Sequence, residues 1–154
     1  MSGTSETLHD LSLEIIKFIA EAFNCEVEIR MGHKPGPDII ITSEMGNIKI
    51  YMESEIGHDT GGAPSYFEDL CNRLKNYIEE DLKREIRPFI VIISNTPRRL
   101  REYIRKNSEQ IGKNLGYNRA VVLGFDIYVI PAMLFTSILP AVLVRILGAV
   151  ARVA

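Results

Sequence analysis

Cysteine is scarce. Cys25 and Cys71 are the two the chain holds, and their separation fits no metal-binding spacing. The plain reading is two buried free thiols in a reducing compartment. A secretory leader is missing as well: the opening MSGTSETLHD has no basic region followed by an apolar run, so a cytoplasmic location is expected by default. No zinc motif, helix-turn-helix signature or Gly-rich nucleotide loop is present, and Gly57 to Gly62 lacks the Lys-Ser/Thr ending of a P-loop. Nothing in the sequence points to a covalent nucleophile, an internal repeat or a low-complexity tract. Neither sign of charge dominates, and a net −2 predicts no global attraction to nucleic acid or to an anionic membrane.

What is present suits one soluble globular domain. The 154 residues are 46% apolar and 25% charged, enough for a proper core without a second domain. Residues 5–23 read as a first helix, capped by Ser5 or Thr7, with Leu8, Leu11, Ile15, Ile16, Phe18, Ile19, Ala22 and Phe23 on a broad apolar face. Residues 25–31 alternate Cys25, Val27, Ile29 and Met31 against Glu26, Glu28 and Arg30, the pattern of a strand with one wet face. A Gly- and Pro-rich loop, 32–37, follows.

Ile39-Ile40-Ile41 and Ile48-Lys49-Ile50-Tyr51-Met52 then flank a turn cluster, Ser43-Glu44-Met45-Gly46-Asn47, whose Gly-Asn pair is a hairpin signal. Further on, Ser65 is placed to cap a long helix ending near Arg84, and Pro88 to Ser94 is a continuous apolar strand suited to the middle of a sheet. Pro97 opens a basic helix with Leu100, Tyr103, Ile104 and Ile111 inward. Arg119 to Gly124 and Asp126 to Ile130 are expected as two more strands. Alternating elements after an antiparallel hairpin predict an α/β architecture, a mixed β-sheet flanked by helices on both faces.

Acids cluster at the hairpin's ends. In the second strand Lys49, Tyr51, Glu53 and Glu55 share one face, with the two glutamates roughly 6–7 Å apart along the strand. Asp38, opening the first strand, can come beside them. Converging carboxylates repel, and a hard divalent cation relieves the repulsion. Alternating charges at a strand end are also the ordinary pattern of a solvated face, and Asp38 after a proline can simply start a strand.

Pro37-Asp38, the hairpin and Glu53-Ser54-Glu55 resemble the signature of the PD-(D/E)xK, restriction-endonuclease-like nuclease superfamily, with Glu55 where the motif's lysine usually stands. Residues 5–94 follow that superfamily's α-β-β-β-α-β core order, and the rest forms a C-terminal extension. The compactness and order loosely resemble archaeal Holliday-junction resolvases.

The resemblance implies a metal-dependent DNA endonuclease. Asp38 and Glu53 would ligate Mg²⁺ (or Mn²⁺), Glu14 would match the first-helix acid that many members add to the metal shell, and Glu55 would bind a second metal or act as general base. Ser54, between the acids, is expected to face the core. Lys34 and His33, just before Asp38, are placed to contact phosphate, whereas Lys49 lies roughly 13 Å from Glu53 along the strand. His58, just beyond the acids, could be a ligand or proton carrier. The alternative is a catalytically inactive member used as a nucleic-acid-binding or assembly module.

Residues 97–119 hold seven Lys/Arg against Glu102 and Glu109, a local +5 that leaves −7 elsewhere. Arg98, Arg101 and Arg105 fall at i, i+3 and i+7, one stripe suited to DNA phosphates, linear or branched, or simply to solubility. Ile127 to Val144 carries no formal charge for 18 residues, the lower limit for a membrane span. Pro131 and Pro140 interrupt it, so the expectation is a strand ending at Pro131 and a buried helix from about Pro140. A membrane anchor is disfavoured, and the 131–154 segment is expected as a homodimer seam or as core.

Overall fold

The structure, a computed structural model, describes residues 13–30, 37–56 and 62–153. Among the described residues five strands form one mixed sheet in the spatial order of the sequence: β1 (Glu26–Ile29), β2 (Ile39–Thr42), β3 (Ile48–Ser54), β4 (Arg87–Ser94) and β5 (Ile127–Pro131). The first three pair antiparallel, while β3–β4 and β4–β5 pair parallel. Parallel neighbours need crossovers. The first is α2 (Gly62–Lys83), and the second holds α3 (Pro97–Lys106) and α4 (Ser108–Asn114). Helix α1 (residues 13–22) precedes the sheet, and α5 (Phe135–Val153) follows it after a 3₁₀ turn at Ala132–Leu134.

Helices cover both faces. Tyr51, Ile90, Ile92, Ile127 and Val129 pack with Tyr66, Phe67, Leu70, Leu74, Leu100 and Ile104 on the α2–α4 side. Ile39, Ile41, Ile48, Ile50, Met52 and Val91 pack with Ile16, Ile19, Leu139, Leu143 and Ile146 on the α1–α5 side. The two-residue alternation of β3 therefore sends Ile48, Ile50 and Met52 one way and Lys49, Tyr51 and Glu53 the other, as the pattern requires. The second face is not wet, because α2 roofs it.

Several sequence expectations are corrected. The segment Arg119–Gly124 is not a strand; Leu123 makes only an isolated bridge to Ile127. Asp126, almost inaccessible, draws two bonds from the Arg119 guanidinium (2.8 and 2.6 Å) and one from Val122 N–H (3.0 Å), folding 119–126 into a compact loop. Ser65 lies inside α2 rather than capping it, since α2 runs from Gly62. Helix α5 begins at Phe135, five residues before Pro140. Burial of Leu139, Leu143, Ile146 and Leu147 on one stripe outweighs the hydrogen bond that proline removes, and Thr136, whose carbonyl loses its partner, is exposed to water. The basic segment divides into α3 and α4 at Asn107, whose side-chain amide donates to Tyr103 C=O (3.0 Å). Among the described residues no helix is long and apolar enough to cross a membrane.

Candidate functional site

The acids gather at the carboxyl ends of the parallel pair β3–β4, where α2 and α3 begin and where open α/β sheets commonly bind ligands. The antiparallel register sets Ile39 opposite Met52, so the next residue on each strand brings Asp38 opposite Glu53. Both carboxylates then share the α2 face.

Glu53 is only 2% exposed. Its Oε2 accepts a 2.7 Å bond from Arg73 Nη1 on α2, and its Oε1 receives no bond from an N–H or hydroxyl donor, although the protonated carboxyl can share its proton with Asp38. Burial pushes the Glu53 carboxyl up to about 8; the Arg73 guanidinium opposes that rise, and the neighbouring Asp38 carboxylate adds to it. The Tyr66 hydroxyl is held above its usual range by burial and by the nearby Glu53 charge. A buried carboxylate with an oxygen lacking a donor is unfavourable to the fold, and such positions concentrate at functional sites.

Glu55 is near but differently engaged. Its Oε2 accepts from Ser94 Oγ (2.9 Å) and Asn95 N–H (3.2 Å), and its Oε1 accepts from Thr96 Oγ (3.0 Å). Thr96 is the N-cap residue of α3, and its hydroxyl serves Glu55 instead of capping the helix. Both oxygens of Glu55 are thus committed to the β4–α3 junction. That geometry makes Glu55 a strut between the end of β3 and the start of α3.

The other candidates separate. Glu14 is exposed on α1, a helix whose buried residues pack on the sheet face opposite Glu53. His33, Lys34 and His58 lie outside the described residues. Ser54 is exposed, contrary to the expectation that it faces the core, because β3 ends there; its Oγ accepts from Ile56 N–H (3.2 Å). Lys49 is anchored on buried Asp81 (3.3 Å), which also accepts from the Tyr51 hydroxyl. Arg98, Arg101 and Arg105 are all exposed on α3, but Arg101 Nη2 donates to Val129 C=O on the edge strand β5 (2.8 Å).

Arg73 is the residue that sequence reasoning missed. It lies at i+3 from Leu70 and i+7 from Tyr66, on the buried stripe of α2, where an arginine implies a partner beneath it.

Among the described residues no three His, Cys, Asp or Glu side chains group as metal ligands. Asp38 and Glu53 are an oxygen-only pair. That suits a hard cation such as Mg²⁺, which keeps several waters and binds through one or two carboxylates. The oxygen of Glu53 without a donor is the observation that fits such an ion. Compared with known proteins, the chain matches no family model, no curated protein and no solved structure.

Proposed function

We propose that this chain is a metal-dependent DNA endonuclease of the restriction-endonuclease-like fold, with Asp38 and Glu53 as its Mg²⁺ (or Mn²⁺) ligands. The observation carrying the reading is the buried Glu53 carboxylate, one oxygen without a donor, opposite Asp38 at the end of the central strands. The bound cation would supply Lewis acidity at a phosphoryl oxygen and lower the pKa of a water. Asp38 and Glu53 hold their oxygens together in a site walled from solvent by α2. Glu55 pins the end of β3 to the start of α3, which fixes the acids relative to the arginine helix. Arg98 and Arg105 on that helix supply backbone phosphate contacts without sequence preference. Two copies joined through 131–154, where Met133, Leu134 and Val144 stand exposed, would offer two such centres to one duplex.

A second reading, the non-catalytic DNA-binding module, is favoured by the three hydrogen bonds that Glu55 accepts and by the Arg73 bond to Glu53. Calorimetric titration of Mn²⁺ at pH 7 and 8.5 separates the two. The nuclease reading expects saturable binding that strengthens with pH, because Glu53 must lose its proton, and that disappears in Asp38→Asn. Cleavage assays on linear, branched and single-stranded DNA then identify the substrate. Absence of binding at millimolar Mn²⁺ and pH 8.5, with DNA still retained, would leave the binding module standing.

A further inference from the structure

We propose that the β1 edge of the sheet is a self-association surface, on which β1 of a second copy of this chain pairs antiparallel about a two-fold axis at Glu28. This surface lies at the edge opposite β5 and involves no residue of the metal centre or of the 131–154 segment.

The two edges of the sheet are finished differently. Ile90 N–H donates to Asp126 C=O (2.9 Å), so the parallel ladder turns the backbone groups of Ile127 and Val129 away from β4. Those outward groups are occupied. Gly124 N–H donates to Ile127 C=O (2.8 Å), Ile127 N–H donates to Val122 C=O (3.4 Å), and Arg101 donates to Val129 C=O (2.8 Å). Pro131, which ends β5, has no N–H to offer.

The β1 edge has no such cover among the described residues. Arg30 N–H donates to Asp38 C=O (2.7 Å), which makes Glu28–Ile40 and Glu26–Thr42 the hydrogen-bonded rungs with β2. The N–H and C=O of Val27 and Ile29 therefore point outward, where no described residue bonds them. Such a row of donors and acceptors is a template for another strand.

Side chains select which strand. Exposed acids on an edge deter indiscriminate pairing, and Glu26 and Glu28 are both exposed. A two-fold axis at Glu28 sets Val27 opposite Ile29 of the second copy. That pair exchanges both backbone bonds, and symmetry repeats it. The same contact covers Ile29, which is 40% exposed in the single chain.

On the α2 side this register brings Glu26 opposite Arg30 of the second copy, again twice. Glu28 meets its own counterpart, but each already carries a counter-charge, the Arg30 guanidinium at 3.3 Å. Sliding the pairing by two residues one way sets Glu26 against Glu28 in both rungs, which is repulsive. Sliding it the other way carries Glu26 past Arg30. The register at Glu28 is the one in which the edge complements itself.

The test uses the full chain as wild type, Val27→Pro, Glu26→Arg, Arg30→Glu and the double variant Glu26→Arg/Arg30→Glu, each checked for fold by circular dichroism. Proline at 27 removes an outward N–H and leaves the rungs with β2 in place. Sedimentation velocity over a concentration series reads association, and hydrogen exchange reads the amides of Val27 and Ile29. Wild type is expected to dimerise, with both amides better protected as concentration rises. Val27→Pro should abolish that step. Each single charge variant should weaken it about tenfold or more, because both symmetric rungs turn repulsive, and the double variant should recover it. The charge variants carry the test if the proline variant does not fold.

A wild type that stays monomeric through the series would overturn the pairing. So would a dimer that none of the variants weakens, whose contact must lie elsewhere, as in the 131–154 segment. Weakening by both single charge variants with no recovery in the double variant would overturn the register at Glu28.

Discussion

Replacing Glu53 with glutamine should stabilise the metal-free protein, and should do so only above a definite pH. The carboxyl titrates near 4.5 in an exposed chain and at about 8 in the fold, where burial is the largest cause. At 1.36 kcal/mol per unit, that separation caps the effect at about 5 kcal/mol. Its sign follows from proton uptake. The folded form holds the extra proton between those two values, so wild-type stability falls as pH rises from about 4.5 to about 8, then levels. Glutamine has no proton to lose and should not show this decline.

The rise to about 8 already includes the opposing bond from Arg73, so losing that bond adds no separate cost unless Arg73 is left stranded. Removing one member of a buried ion pair costs about 3–5 kcal/mol when the other is stranded. Arg73 is not stranded, since its side chain reaches water and its Nε keeps Asp69. The net expectation is a Glu53→Gln protein matching wild type near pH 4.5 and exceeding it by about 4 kcal/mol at pH 8.5. Urea unfolding at pH 4.5, 7 and 8.5 reads both. A difference that does not change with pH, or a variant less stable than wild type at pH 8.5, would refute the account of Glu53 as a buried acid that weakens the fold.

Tyr51→Phe removes the hydroxyl that serves the inaccessible Asp81, leaving Lys49 as its remaining side-chain partner. The expected loss is about 1–3 kcal/mol by the same unfolding assay, and an unchanged transition would show that the bond does not hold α2 to β3. Gly112→Ala sets two effects in opposition. Helix propensity favours alanine by about 1 kcal/mol, whereas the added Cβ would overlap the Arg119 carbonyl oxygen and press on Val121 N. Backbone cannot yield as a side chain can, so the variant should melt at a lower temperature than wild type; a higher one would mean that the 119–126 loop is not packed on α4.

Sequence by itself determined the hairpin, its turn within 43–47 and the sharing of one face by Lys49, Tyr51 and Glu53, because the two-residue period of a strand depends only on local geometry. The buried character of β4 was equally legible, since its unbroken apolar run has no solvated face to give away. Spacing also marked Leu100 and Ile104 as the inward side of α3. The partners of the acids were not legible in this way. Arg73 lies twenty residues beyond Glu53, and helical period states which side of α2 it occupies but not which strand residue lies below. Nor was it legible that Ser94, Asn95 and Thr96, some forty residues later, donate to both oxygens of Glu55. The run Arg119–Gly124 looked like a strand because local pattern cannot register that Asp126 must be neutralised where it is buried. Period and propensity act over a few residues. Whether a charge is a ligand, a strut or half of an ion pair depends on which distant group the folded chain brings to it, and only the tertiary structure decided that.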